Sequence, residues 1–227
     1  MRDEIELELN NAINKSDASF FVVQIGANDG QMADPIHQKV KAHKWSGVFV
    51  EPVKYLYERL QKNYEGFGTD LKFENSVITN FTGVVDFNQF PQEFEDDSEF
   101  PFWANGMGSL LEPFSSPAHT NLKTKNFKMV KRKTPCLTFT DLLNKYEVKK
   151  IDLLQIDVEG YDGELLAGID FSHIKPKYIR YEDKHIDTAF KDGLTKVSSD
   201  GVISHLIGCG YEVGERTNGF DRVCRLK

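Results

Sequence analysis

The strongest constraint on the fold of this chain is the segment LLQIDVEGYDG at residues 153–163. An apolar run of strand length ends in two carboxylates, Asp157 and Glu159, which are followed by Gly160 and then by a helical pattern. Buried strands favour apolar side chains and tolerate a charge only where the strand runs out into a cleft. We therefore expect both acids at the carboxyl edge of a sheet, where ligands bind in open α/β folds.

A second turn with the same layout lies near the N-terminus, where the apolar residues 20–25 run into Gly26 and Gly30. Glycine lets the backbone approach a ligand where a Cβ atom would clash, although the third glycine of the dinucleotide fingerprint is missing. Glu51 ends the next strand, and an acid there can accept hydrogen bonds from both ribose hydroxyls. The alternative for Glu51 is a surface acid that caps the helix after Pro52. Together the two features predict a nucleotide-like ligand.

The rest of the pattern alternates strands with helices. The other predicted strands lie at 47–50, 71–78, 151–157, 177–183, 211–213 and 222–226. Repeated strand-helix units give a parallel sheet with helices on both faces, and the last two strands add an antiparallel edge. Residues 84–87 are predicted as a hairpin partner of the strand at 71–78. Residues 91–120 lack clean periodicity, and such a long loop in a compact domain tends to be functional or mobile.

Chain length and composition indicate one acidic α/β domain. The 227 residues suffice for a single core, and we divide them into an N-terminal helix within residues 1–18 and a domain of residues 19–227 with a lid-like insertion at about 84–135. The formal net charge of -7 argues against nucleic acid or an anionic membrane as a partner. Three widely spaced cysteines favour a reducing, cytoplasmic location. We see neither a signal peptide nor an apolar run long enough to span a bilayer.

Asp157 and Glu159 are the candidate catalytic residues. A carboxylate in a cleft can take a proton from a hydroxyl nucleophile, and partial burial raises its pKa usefully. Their spacing places both on one side of a strand, which also suits a divalent cation, although we assign no metal site. The alternative is charge compensation at the start of the following helix. Glu182 and His185 are expected to line the same cleft as orienter and base, unless His185 is an ordinary surface side chain.

A third strand end carries Asn75, Ser76 and Val77. Polar groups at this position can bond an adenine edge while Val77 packs on the face of the ring. An ordinary strand end is the alternative interpretation.

These motifs, in this order, resemble those of FkbM-type methyltransferases, which are S-adenosylmethionine-dependent enzymes with a class I Rossmann-like fold. The resemblance runs from about residue 19 to the C-terminus. Its most specific element is the apolar strand followed by Asp-Val-Glu-Gly at 157–160 and a helix that ends near Gly168. QIGANDG at residues 24–30 is similar to the family's first motif, with Gln24 at a position where an acid is common and Asp29 where an apolar residue is common. Glu51 matches the ribose-binding acid.

The resemblance implies a doubly wound, mostly parallel seven-stranded sheet and methyl transfer from S-adenosylmethionine to oxygen, on a sugar or another small hydroxylated metabolite. The base is expected to be Glu159 or Asp157, with Glu182 and His185 in support. The expected cofactor-binding residues are Gln24, Gly26, Ala27, Asn28, Asp29, Gly30, Glu51, Pro52, Asn75, Ser76, Val77 and Asp157. Residues 100–112 are expected to close over the site, and three aromatic residues there either stack on the acceptor or belong to the core. They are Phe100, Phe102 and Trp103.

Two other functions stay open. An NAD-dependent oxidoreductase or sugar epimerase on a Rossmann-like fold would need the missing third glycine and a Tyr-x-x-x-Lys pair, which is absent near the site. The other is a cofactor-binding module without catalysis. The sequence identifies neither the methyl acceptor nor the oligomeric state.

Overall fold

The computed structural model of the protein describes residues 4–67, 70–111 and 127–227. The side chain of Trp103 and residues 112–126, which belong to the predicted lid and insertion, lie outside the described residues. The strands are β1 (Phe21–Ile25), β2 (Ser46–Val50), β3 (Leu71–Glu74), β4 (Val77–Thr79), β5 (Gly83–Gln89), β6 (Gly108–Ser109), β7 (Val130–Thr138), β8 (Leu153–Ile156), β9 (Tyr178–Glu182), β10 (Tyr211–Thr217) and β11 (Asp221–Leu226). The helices are α1 (Glu4–Asn14), α2 (His37–His43), α3 (Lys54–Asn63), α4 (Phe139–Lys145), α5 (Asp162–Gly168), α6 (Ile186–Lys191) and α7 (Ser199–Gly208).

Seven strands form the main sheet, in the order β10-β11-β9-β8-β1-β2-β3. The pairs from β3 through β1 to β9 are parallel, whereas β11 runs antiparallel to both β9 and β10. The predicted mostly parallel seven-stranded sheet with an antiparallel C-terminal strand pair is confirmed. The strand order reverses between β1 and β8, and the carboxyl ends of these two strands form the switch point where open sheets bind ligands.

Helices cover both faces of this sheet because strand side chains alternate between the faces. Val22 of β1 belongs to a core with residues of α1, α2 and α3, whereas the next residue, Val23, packs in a second core with residues of α4, α5 and α7. Helix α1 buries Ile5, Leu9 and Ile13 in the first core. None of the helices in the described parts of the chain has the length and apolar character needed to cross a lipid bilayer.

The insertion forms a sheet of its own, in the order β4-β7-β5-β6. The prediction of one strand over 71–78 with residues 84–87 as its hairpin partner is therefore wrong. The chain leaves the main sheet at Asn75, whose side-chain amide donates hydrogen bonds to the carbonyl oxygens of Glu51 and Pro52. Because β4 then joins the second sheet, β5 pairs antiparallel with β7 and has no place beside β3.

Candidate functional site

A cavity of about 310 Å³ opens at the carboxyl ends of β1, β2 and β8. Its wall consists of the turn after β1, the end of β2, residues 76–78 and the segment after β8. The insertion adds Phe87, Phe102, Gly106, Gly108 and Leu110 to the lining. The cavity therefore lies at the switch point of the main sheet, where the sequence predicts the ligand.

The turn after β1 meets the segment after β8 at Gly26. Gly26 has a φ of 81°, and its N–H donates a 3.0 Å hydrogen bond to the carbonyl oxygen of Val50 in β2. A Cβ atom at Gly26 would lie 1.8 Å from the carbonyl oxygen of Asp157. Glycine is therefore what lets the ends of these three strands converge on one cavity.

Two of the predicted cofactor residues in this turn, Asp29 and Gly30, stand outside the lining of the cavity. A Cβ atom at Gly30 would lie 2.6 Å from the side chains of Leu60 and Tyr64, so this glycine is required for packing against α3 and the residue that ends it. The Asp29 carboxylate accepts backbone hydrogen bonds within the turn. Both residues hold the shape of the turn.

Glu51 presents a carboxylate of fixed orientation to the cavity, and the residue is only 4% exposed. Its Oε2 accepts a 2.9 Å hydrogen bond from the N–H of Asn28, and its Oε1 accepts a 2.8 Å bond from the N–H of Val53. Burial raises the pKa of Glu51 to about 7, against the effect of these two hydrogen bonds. Each oxygen keeps a further lone pair, so the carboxylate can accept two hydroxyl donors from a ligand.

The third strand end contributes two of its three predicted residues to the cavity. Ser76 and Val77 line it, and the Oγ of Ser76 is buried without a hydrogen-bond partner among the described residues. Asn75 stands behind them and holds the end of β2, as described above. The predicted cofactor residues that line the cavity are Gln24, Gly26, Ala27, Asn28, Glu51, Pro52, Ser76, Val77 and Asp157.

Asp157 and Glu159 both line the cavity. Strand β8 ends at Ile156 and Glu159 has a φ of 55°, so their common side follows from a turn and not from the strand alternation that the sequence suggests. Desolvation within the cavity raises the pKa of Asp157, although this side chain stays accessible there, and burial raises the pKa of Glu159, with the charge of Asp157 adding to the second shift. The side chain of Asp157 is open to the cavity, so it can exchange a proton with a bound molecule.

Glu182 and His185 lie beside Glu159, although neither lines the cavity itself. His185 Nε2 is 3.6 Å from Glu182 Oε1, and one ligating atom from each of Glu159, Glu182 and His185 lies within 4.8 Å of the other two. Burial raises the pKa of Glu182 to about 10, and the charges of Asp157 and Glu159 add to the shift. The four predicted catalytic residues thus form one electrostatically connected group.

Two glutamines inside the apolar strands face this cavity. Gln24 of β1 and Gln155 of β8 are register partners, and their Oε1 atoms are buried without hydrogen-bond partners among the residues described. Asp34 also lines the cavity, and burial raises its pKa to about 6. Of these three residues, only Gln24 is among the cofactor-binding residues expected from the sequence. A polar side chain that interrupts a buried apolar run is the signal that identifies Gln155.

The predicted lid residues have different positions. Phe100 is buried in an aromatic core within the insertion, with its ring centroid 5.1 Å from that of Phe90, so it belongs to the core. Phe102 lines the cavity and is 73% exposed. The Oγ of Ser109 donates a 3.2 Å hydrogen bond to the carbonyl oxygen of Glu159, which links the insertion to the acidic segment.

Comparison with solved structures finds similar methyltransferases at low sequence identity. TomG, an O-methyltransferase from Streptomyces achromogenes, is 9% identical over 99% of this chain and 79% of its own, with a TM-score of 0.48. An O-methyltransferase from Bacillus cereus is 9% identical over 99% of this chain and 80% of its own, with a TM-score of 0.47. An RNA methyltransferase from Salinibacter ruber is 12% identical over 98% and 88%, with a TM-score of 0.41. Likeness at this level carries no information about the acceptor, and no curated protein matches the chain.

The family of the chain is shown by a match to a protein-family model. The model of the methyltransferase FkbM domain matches residues 24–213, which run from β1 into β10 and include the whole cavity and the acidic segment. Members of this family use S-adenosylmethionine as the methyl donor. The chain therefore belongs to the FkbM methyltransferase family and is an S-adenosylmethionine-dependent methyltransferase.

Proposed function

We propose that this chain transfers the methyl group to a hydroxyl oxygen of a sugar or another small hydroxylated metabolite. The observation that carries the proposal is the position of two carboxylates, Asp157 and Glu159, at the cavity wall, where their surroundings raise the pKa of both. A hydroxyl nucleophile has to lose a proton as it attacks, and a base with a pKa near the working pH takes that proton most effectively.

The residues around the cavity fit S-adenosylmethionine. Glu51 offers two oriented carboxylate oxygens to ribose hydroxyls, and Ser76 and Val77 offer a polar and an apolar group to a purine. The unpaired Oε1 of Gln24 is an acceptor suited to an ammonium group, and Asp157 supplies negative charge next to it. When bound, the cofactor supplies a methyl group on a positively charged sulfur.

The tasks left to the protein are alignment of the acceptor oxygen and removal of its proton, because a sulfonium is already a good leaving group. Asp157 or Glu159 accepts the proton, and Glu182 and His185 lie next to Glu159 as supporting groups. Phe102, exposed where it lines the cavity, offers an apolar surface to a sugar or other ring.

Charge supports a small molecule or glycan as the acceptor. The net charge of -7 and the acidic cavity repel phosphate groups, so a nucleic acid acceptor is disfavoured. The cysteines of the described residues form no disulfide, and a cytoplasmic location stays a prediction.

The experiment is a methyl-transfer screen with labelled S-adenosylmethionine over glycans and small hydroxylated metabolites. We expect label in a hydroxylated acceptor, and we expect Glu159→Ala to retain cofactor binding in calorimetry while turnover falls. An unchanged rate in that variant removes Glu159 as the base. Label only in nucleic acid or protein overturns the proposal, and binding of NAD in place of S-adenosylmethionine supports the oxidoreductase alternative.

The matched control is Glu74→Gln. Glu74 is also a buried acid at a strand end, but it pairs with Lys145 at 2.6 Å and lies outside the lining of the cavity. Turnover in this variant should match the wild type once folding is accounted for, so a loss specific to Glu159 reflects the chemistry of the site.

A further inference from the structure

We propose that Glu159, Glu182 and His185 form a binding site for one divalent transition-metal ion of the Mn²⁺ or Zn²⁺ type. The ion binding stands on the geometry of these three side chains, whereas the role of the ion in methyl transfer rests on the proposed function.

The distances suit a single ion. Zn²⁺ and similar cations hold carboxylate oxygen and imidazole nitrogen at about 2.0–2.2 Å, which separates two ligands of one tetrahedral ion by about 3.4 Å. Nε2 of His185 lies 3.6 Å from Oε1 of Glu182, and the ligating atom of Glu159 is within 4.8 Å of both. Small rotamer adjustments therefore bring all three atoms into one coordination shell.

A second observation comes from buried oxygens beside these ligands. Oε2 of Glu182 is buried without a hydrogen-bond partner among the described residues, and the side chain around it is only 11% exposed. Asp162 is fully buried, its Oδ2 accepts a 3.2 Å hydrogen bond from the N–H of Gly160 next to Glu159, and its Oδ1 has no such partner either. Buried carboxylate oxygens normally find a donor or a cation. A divalent ion satisfies this requirement for the group as a whole.

The ligand set selects the class of ion. Mg²⁺ and Ca²⁺ prefer shells of oxygen atoms, whereas an imidazole nitrogen favours a transition metal. Two carboxylates neutralise a divalent charge, and three protein ligands leave positions open, as in catalytic metal sites. Because Glu159 also lines the cavity, an ion bound to it lies within reach of an acceptor oxygen. Asp157 is then the group that takes the proton.

The test is binding of Mn²⁺ to the full-length protein after treatment with EDTA and desalting. Free Mn²⁺ is followed by its electron paramagnetic resonance signal during titration with MnCl2, and ZnCl2 is titrated by calorimetry. We expect one ion per chain, with affinity reduced at least about tenfold in Glu182→Gln and in His185→Asn. The control His173→Asn changes an exposed histidine elsewhere and should bind like the wild type. Absence of saturable binding, or equal affinity in all these variants, overturns the proposal.

Two further measurements keep the outcomes separable. Circular dichroism reports whether each variant folds. If a site variant does not fold, the melting temperature of the wild-type protein is the test. MnCl2 should raise that melting temperature, and MgCl2 at the same concentration should not. Methyl transfer that continues at full rate in EDTA refutes the role of the ion and leaves the proposed function intact. Saturable Mn²⁺ binding without methylation of any hydroxylated acceptor supports the site and refutes the proposed function.

Discussion

Glu51→Gln tests the cofactor site most directly, because two backbone N–H groups orient the carboxylate of Glu51 at the cavity wall. Both carboxylate oxygens accept backbone hydrogen bonds, at 2.9 and 2.8 Å, so an isosteric amide must turn its NH2 group towards one of two N–H donors. The same change removes the charge that strengthens hydrogen bonds from ribose hydroxyls. Hydrogen bonds to a charged group contribute roughly 1.5–3 kcal/mol. We therefore expect S-adenosylmethionine to bind about 10- to 150-fold more weakly.

The pH dependence of S-adenosylmethionine binding gives a second quantity to measure, the change in affinity between pH 6 and pH 8.5. A carboxyl group with a pKa of about 7 is roughly one-tenth ionised at pH 6 and almost fully ionised at pH 8.5. If the ionised form binds the ribose, wild-type affinity should rise about tenfold over this range. In Glu51→Gln the rise that comes from ionisation of Glu51 is lost, so we expect the affinity to depend much less on pH than in the wild type.

Isothermal titration calorimetry with S-adenosylmethionine at pH 6 and pH 8.5 measures both effects. Glu74→Gln is the matched control, because this buried acid at the end of the neighbouring strand lies outside the cavity lining. It should lose folding stability and keep both cofactor affinity and the pH dependence. Equal affinity in Glu51→Gln and the wild type, or the same tenfold rise in both, would refute the assignment of Glu51 to the ribose.

Three other changes test the surroundings of the site. Gly26→Ala should lower the free energy of unfolding, measured in urea, by more than about 2 kcal/mol, because the φ of 81° disfavours a side chain and the new Cβ atom would lie 1.8 Å from the carbonyl oxygen of Asp157. The control Gly208→Ala has open space around it and should stay within about 1 kcal/mol of the wild type. Asp183→Asn removes the ion pairs of a fully buried carboxylate with two arginines, so it should lower the free energy of unfolding by roughly 3–5 kcal/mol without changing cofactor affinity. Although burial opposes it, these arginines and a serine hydroxyl lower the pKa of Asp183, so its contribution to the folding stability is present above the pKa of the unfolded state and is lost as the pH falls through the pKa of the folded state. Phe102→Ser should leave the melting temperature unchanged and raise the KM for the acceptor, and an unchanged KM contradicts its role in binding the acceptor.

The main sheet could be predicted from the sequence because the residues within each strand and directly after it indicate where the strand lies. Apolar runs of strand length, each ending at a glycine or an acid, predict the parallel strands, and parallel strands place their carboxyl ends at one edge. Gly26, Glu51 and Asp157 therefore converge on one cavity, as their strand positions predict. The same logic does not distinguish a residue that faces a ligand from one that shapes the turn. Asp29 and Gly30 have the right position in the motif, but they serve backbone hydrogen bonds and packing.

The insertion could not be predicted in the same way, because its pairing depends on contacts distant in sequence. The end of β3 looks continuous with β4 in the sequence, but Asn75 between them donates hydrogen bonds to the end of β2, and β4 pairs with β7. Strand β5 pairs with β7, which begins more than 40 residues later. Phe100 and Phe102 are two positions apart and chemically identical, yet one is buried and the other is exposed. Composition alone cannot assign such residues to core or surface.

The acids of the site have an electrostatic relation that no single strand end reveals. Asp157, Glu159 and Glu182 each have a raised pKa, and in every case burial is the largest cause and another acid of the cluster or its border adds to it. Such a group is poorly compensated by the protein itself, since Lys184 is the only cation that lowers the pKa of Glu159 among the causes resolved for the described residues. A sulfonium beside Asp157 and a divalent ion at Glu159 and Glu182 would each supply the missing positive charge. Binding of one ligand should then weaken binding of the other only if both use Asp157 or Glu159. Calorimetry of S-adenosylmethionine with and without saturating Mn²⁺ distinguishes a shared group, which makes the cations compete, from separate ones, which leaves the two affinities independent.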